Sequence, residues 1–324
     1  DGTALVDGAG STWTLYNEIE GDDWSILGVG VYGQGSLTIS NGGQVAVADA
    51  VIGGMDLEDI GAEGYYDLWG DPNGIGWVTV TGENSRLELD YDLCVGHASL
   101  GILDIADGGV VTSDDGFVGD EPDGTGIVTI TGEQSTWAIS DNLYLGDEGT
   151  GSLDVNDGGR LIVDGVLYVG GDEEGSGGIG TLMVNDTGEV LVGQEIYVWE
   201  TGTVGGDGLI FIEQPTTLHN YGTIAPGNDG IGTLEVYGHV VFHEGSILAV
   251  QISNDDSDLL AVGDGVTIEG GTVQVESEGT ILGEHAYEII EAGYVNGEFD
   301  VLDTALLDFS ISDANLTYEE DSVW

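Results

Sequence analysis

The sequence predicts an all-β fold: a parallel β-helix (β-solenoid) with about 25 residues and three short strands per coil. Three observations predict it. First, the run from Gly76 to Val111 recurs without a gap at an offset of 50 residues. Gly76 falls on Gly126, Ser85 on Ser135, Gly96 on Gly146, Gly101 on Gly151, and Gly108-Gly109 on Gly158-Gly159. Self-similarity at a fixed period is the signature of a repeat architecture. Second, a strand ending in small apolar-x-apolar-Gly recurs, with Gly28, Val51, Cys94, Phe117, Tyr144, Tyr168 and Tyr197 at its middle position. Apart from one longer step, the intervals are 23, 23, 27, 24 and 29 residues, so the 50-residue repeat is two units. Third, the strands are short, as in Ser152–Val155, Arg160–Val163 and Val166–Val169, and Gly, Asp and Asn separate them. Strands of four to five residues cannot cover a hairpin face of their own. Joined by corner turns, three of them make one coil, whose inward residues stack on the next coil about 4.8 Å away.

Residues 1–54 hold the first copy of the repeat. Ser11-Thr12-Trp13 matches Ser135-Thr136-Trp137, and Ser40-Asn41-Gly42-Gly43 matches Asn156-Asp157-Gly158-Gly159. Residues 55–73 depart from the pattern, with Tyr65, Tyr66 and Trp69 among acidic residues. An insertion in one turn of a repeat protein projects as a loop. Tyr65, Tyr66 and Trp69 are therefore candidates for contact with a glycan or a protein, or else they fold back onto the neighbouring strand. Residues 75–200 are the most regular. The row Phe117, Tyr144, Tyr168 and Tyr197 is expected to point outward as an aromatic ladder, with Cys94 in the same row. The repeat solenoid is assigned to 1–205, its continuation to 206–286, and a terminal cap or assembly segment to 287–324. In that last part Leu306–Ile311 and Asn315–Tyr318 read as strand-like.

Composition narrows the function. There are 61 acidic residues against Arg86 and Arg160, no Lys, and a formal charge of −59. Nucleic acid is excluded as a partner, because phosphate neutralisation needs Lys and Arg; anionic membranes are excluded for the same reason. Cys94 is the only cysteine, so no internal disulfide forms. No apolar run reaches the roughly 18 residues that span a bilayer. No basic and apolar leader opens the sequence, so a signal peptide is expected to be absent or removed.

Chemistry is sparse. His239 and His243 are four residues apart in a strand-like run, which separates them by about 13 Å and does not suit a shared metal. No nucleophile elbow, P-loop or dinucleotide fingerprint is present. Asp104, Asp107, Asp114, Asp115, Asp154 and Asp157 could supply paired carboxylates, but Asp107 and Asp157 are accounted for as corner residues. The chain is not expected to be an enzyme, and no cofactor is expected to be required. Acidic turns at Asp120, Glu121 and Asp123, at Asp172, Glu173 and Glu174, and at Asp255, Asp256 and Asp258 are candidates for Ca²⁺. None matches an EF-hand or the Gly-rich calcium repeat, so a solvated acidic surface is the competing reading.

The repeat G-x-V-T-[VI]-T-G-E-x-S-x-[LW]-x-[LI], followed by [LV]-G-x4-G-x-L-x-[IV]-x-[ND]-G-G, resembles that of type V autotransporter passengers and PEP-CTERM surface proteins. The resemblance covers about 1–205, with 55–73 as a departure. Ile224–Val236, Ser257–Gly263, Tyr287–Ile290 and Gly297–Phe299 resemble the C-terminal part of autotransporter passengers. This implies a right-handed parallel β-helix at the bacterial cell surface or in a secreted matrix. Such passengers serve as adhesins, matrix proteins or, less often, enzymes. The expected partner is a further copy of the chain, joined head to tail or by strand exchange into a filament or surface layer. The alternatives are a monomeric adhesin stalk that binds a glycan or a host or matrix protein, and a polysaccharide-degrading β-helix.

Overall fold

The computed structural model describes residues 1–15, 25–54, 74–227, 230–279, 281, 283–306 and 314–324. Among them there is no helix, hence none long and apolar enough to cross a membrane. The strands form three sheets of 12, 12 and 11 strands. Each sheet takes every third strand of the chain, so successive triplets are successive coils of a β-solenoid. Neighbouring strands pair in parallel throughout, with one antiparallel exception at the end.

Strand alternation builds the core. In the first sheet Leu37, Val78, Leu103, Val128 and Leu153 occupy one inward column, all essentially solvent-free. Residues two positions on form a second column, which includes Ile39, Val80, Ile105, Ile130 and Val155. The third sheet supplies Val95, Val118, Leu145, Val169 and Val198. Each side chain therefore packs on its equivalent one coil away, which is why a repeat that cannot bury its own face becomes stable when stacked. First-sheet strands such as Thr150–Asn156 run to seven residues, longer than the four to five expected, whereas third-sheet strands such as Leu167–Val169 have three.

The 50-residue period has a physical cause at the corner between the first and second sheets. Ser85 Oγ donates to Thr81 O at 2.7 Å and accepts from Gly42 N at 3.0 Å, one coil back. Ser135 Oγ accepts from Gly108 N at 3.0 Å in the same way. A Ser corner thus satisfies the backbone of the preceding Gly-Gly corner, and the two corner types alternate. At both corner types a non-Gly residue takes a left-handed conformation: Asn41, Asp107 and Asp157 in the Gly-Gly corners, Asn84 and Gln134 in the Ser corners. Asn and Asp tolerate that region well. The repeat's glycine column serves a different purpose. A Cβ on Gly126 would lie 2.2 Å from Val95 O, so the first-sheet strand can enter the corner only without a side chain.

Residues 55–73 lie outside the described residues, yet the coils on either side keep register. Gln34–Ser40 pairs with Ile75–Thr81, and Asp49–Ile52 with Leu93–Val95. At the far end, Ser322–Val323 runs antiparallel to Ile290–Ala292 and buries Val323. The segment is a hairpin in form: Thr317 and Trp324 exchange backbone hydrogen bonds, and the Tyr318 hydroxyl accepts from Phe299 N at 2.9 Å. The strand expected at Leu306–Ile311 falls mostly on residues 307–313, outside the described ones; the adjoining strand is Val301–Leu306.

Candidate functional site

In a three-residue third-sheet strand the outer positions face inward and the middle one faces solvent. The register places Gly28, Val51, Cys94, Phe117, Tyr144, Tyr168 and Tyr197 in one outward row, and His219 continues it. Ring centroids are 4.9 Å apart for Phe117–Tyr144, 5.2 Å for Tyr144–Tyr168, 5.7 Å for Tyr168–Tyr197 and 5.0 Å for Tyr197–His219. Interplanar angles along this run are 5 to 13°. These spacings follow the strand spacing of roughly 4.8 Å. From Tyr197 a second stack runs through Trp199 and Tyr221 to His243. Because each ring face is covered by the next ring, an incoming sugar ring would meet edges along most of the row. The ladder's chemistry is therefore mutual stacking.

Beside this row, at the corner leading into the third sheet, the carboxylates form a ladder of their own. Asp49 Oδ1 accepts from Asp92 N at 3.3 Å, Asp92 Oδ1 from Asp115 N at 3.3 Å, and Asp115 Oδ1 from Asn142 N at 2.7 Å. Asn142 Oδ1 in turn accepts from Val166 N at 2.9 Å. Burial, foremost, and the neighbouring carboxylates raise the Asp49, Asp92 and Asp115 carboxyls above the ordinary range, against those hydrogen bonds.

Where the row passes from aromatic to aliphatic, Cys94, His97 and Asp120 converge. One ligand atom from each lies within 4.8 Å of the others, and they are the one such group of three among the described residues. His97 Nδ1 is 2.5 Å from Asp120 Oδ2. His97 is buried, while Cys94 and Asp120 are half-buried. Burial first, then the charges of Asp120, Asp92 and Asp49, push the Cys94 thiol well above its usual range. A nucleophilic thiolate requires the opposite shift. In sequence Cys94 belongs to the outward row and Asp120 to the acidic turns, and nothing joins them. The missing signal is the third dimension: Cys94 and His97 share one coil, and Asp120 belongs to the next.

The other acidic turns are arranged differently. Asp172 Oδ1 accepts from Glu174 N and Gly175 N, closing its own loop. Glu173, Glu174 and Asp123 are exposed, and Glu121 donates its backbone N–H to His97 O. Asp258 is buried, with Oδ1 accepting from Gly232 N at 2.9 Å and Oδ2 from Gln251 N at 2.6 Å. Burial chiefly raises its pKa to about 6. Asp256 Oδ1 accepts from Ser257 N, and Asp255 donates its N–H to Ser253. Asp147, packed near Asp120 and Asp172, is raised to about 7 by burial and then by their charges. His239 pairs with Thr267 and Tyr294, whereas His243 pairs with His219 and Glu269, so the two histidines four residues apart do not meet. Asp104 and Asp154 share an outward row with Thr129 between them. Tyr65, Tyr66 and Trp69 lie outside the described residues.

No protein-family model and no curated protein matches the chain. Among solved structures it is similar to the crystallised fragment of TibA hyper-glycosylated by TibC. Identity is 15%, covering 91% of this chain and 100% of the fragment, and the TM-score is 0.32. A likeness of that size says nothing about role.

Proposed function

We propose that the chain is an extracellular bacterial structural protein, a rigid acidic β-solenoid that assembles with further copies of itself into a filament or a surface or matrix layer. One observation carries this reading: three sheets stack in parallel register, coil upon coil, around one continuous apolar core, which is the architecture of a rigid repeat rod. In this reading the chain is not an enzyme and needs no resident cofactor. Repulsion from a formal charge of −59 opposes assembly, so Ca²⁺ or salt favours it by screening.

The test is sedimentation across a concentration series, with and without Ca²⁺. The protein is expected to form larger species as its concentration rises, and a single small species at every concentration would remove assembly from the account.

A second reading, an adhesin stalk, is favoured by the intact register across residues 55–73. The scaffold carries that segment without adjustment, as a presenting stalk would. Deleting 55–73 should then abolish binding to a glycan or a host protein and leave the fold unchanged.

A further inference from the structure

We infer that Cys94, His97 and Asp120 form a binding site for a borderline-soft divalent cation of the Zn²⁺ class, which clips two successive coils together. The chain has one cysteine and five histidines, and its cysteine lies three residues from one of them. Both break the repeat at once: the 50-residue offset places Tyr144 at the Cys94 position and Asp147 at the His97 position. A strand ladder accounts for a Tyr in that row, and solvent for an Asp at that turn. Neither accounts for a thiol and an imidazole arriving together beside a carboxylate.

Thiolate, imidazole and carboxylate are the donor set of Zn²⁺ and its near neighbours, whereas Ca²⁺ and Mg²⁺ take oxygen donors. Zn–ligand bonds of about 2.0–2.3 Å put tetrahedral ligand atoms roughly 3.3–3.8 Å apart. The three donors already lie within 4.8 Å of one another, so small side-chain rotations close the site. The backbone that carries them is fixed. Cys94 is in ladder register with Phe117, Gly96 and Gly119 take the same left-handed turn at φ 75° and 72°, and Glu121 N bonds to His97 O at 2.9 Å. Asp92 and Asp49 add negative charge nearby, which favours a cation further. On coordination the thiol proton leaves to solvent, and the His97 proton that faces Asp120 is exchanged through solvent for one on the far ring nitrogen, so that a neutral imidazole binds the ion. Three protein donors leave the fourth position of a tetrahedral ion to water or an external ligand.

The experiment is a Co²⁺ and Zn²⁺ titration of chelator-stripped full chain in excess Ca²⁺, which occupies nonspecific surface carboxylates. The expected result is one equivalent bound, with a thiolate-to-cobalt charge-transfer band in the near ultraviolet. Zn²⁺ should also slow alkylation of Cys94 by at least about tenfold, because coordination removes the free thiolate. Cys94→Ser should lose the band, and His97→Gln and Asp120→Asn should each weaken binding by at least about tenfold, since each deletes one of three ligands. The band and the alkylation rate are read on the wild type, so they stand even where a variant fails to fold. A Co²⁺ complex without the thiolate band, or an alkylation rate indifferent to Zn²⁺, would overturn the site.

Discussion

The indole of Trp137 fills the space that a side chain at Gly116 would take. A Cβ built on Gly116 would lie 2.9 Å from Trp137 Cζ2 and 3.0 Å from Ile139 Cδ1 and Leu143 Cδ1. The register partners of Gly116 are Leu93 and Leu143, so a leucine is the ordinary occupant of that column. Those of Trp137 are Val111 and Leu161. One oversized residue and one missing side chain thus compensate across a corner of the core. Trp137 is fully buried and donates its Nε1–H to Ser113 Oγ at 3.2 Å.

The pair should behave as a unit in denaturant titrations. Gly116→Leu alone overpacks the site and should destabilise by about 3 kcal/mol. Trp137→Leu alone leaves a cavity and should cost about 3 kcal/mol. The double variant should recover most of both losses. Additive losses would show that the two positions are independent.

The aromatic ladder is expected to stabilise rather than bind. Tyr168 stacks on both Tyr144 and Tyr197, so Tyr168→Ala forfeits two pairs and should cost about 1–3 kcal/mol. Tyr168→Phe keeps both faces and should stay within about 0.5 kcal/mol of wild type. Thermal unfolding of the three chains measures this, and a Tyr168→Phe loss as large as that of Tyr168→Ala would assign the energy to the hydroxyl.

The corner carboxylates predict a pH dependence. The Asp49, Asp92 and Asp115 carboxyls are raised in the folded chain, so it holds their protons to higher pH than the unfolded chain does. The stability they contribute is fully present below the unfolded carboxylate pKa of about 4 and is lost as pH rises through the folded values. Asp115→Asn keeps an acceptor for Asn142 N and removes one charge, as the chain itself does one coil on at Asn142. It should raise the melting temperature at pH 8 by about 2 °C, leave it nearly unchanged well below the carboxylate range, and narrow the difference between the two. A lower melting temperature at pH 8 would contradict the assigned repulsion.

Ser135 is fully buried and satisfies Gly108 N, a backbone donor of the coil before. Ser135→Ala should cost about 1–3 kcal/mol, the penalty for an unpaired buried donor. The nearby Ser140 is exposed, and Ser140→Ala should change stability by less than about 0.5 kcal/mol.

Much of this architecture was legible in the sequence because a solenoid writes its third dimension as a period. The row from Gly28 to Tyr197, read from a strand-ending pattern, is the ladder found in the third sheet. Its continuation to His219 is not legible, because the strand ending changes to His-Asn there; the row then passes to Val241, and His243 reaches the ring stack from the corner beyond that strand. The two-coil period was legible, but its cause was not: Ser85 and Ser135 act on a coil other than their own. Gly116 and Trp137 stand in different strands, and nothing local marks either as the other's complement. The convergence of Cys94, His97 and Asp120 was hidden for the same reason. Nor does the sequence show that, within the acidic turns, Asp172 Oδ1 and both Asp258 oxygens accept from backbone donors.

The central claim is assembly of a rigid rod from copies of this chain, and negative-stain electron microscopy across a concentration series in Ca²⁺ tests it most directly. Among the described residues, eleven full coils at the strand spacing give a length of roughly 50 Å. The account predicts filaments or short rods of constant width whose lengths increase with concentration in steps of about 50 Å. Particles of one length, about 50 Å at every concentration, would contradict it.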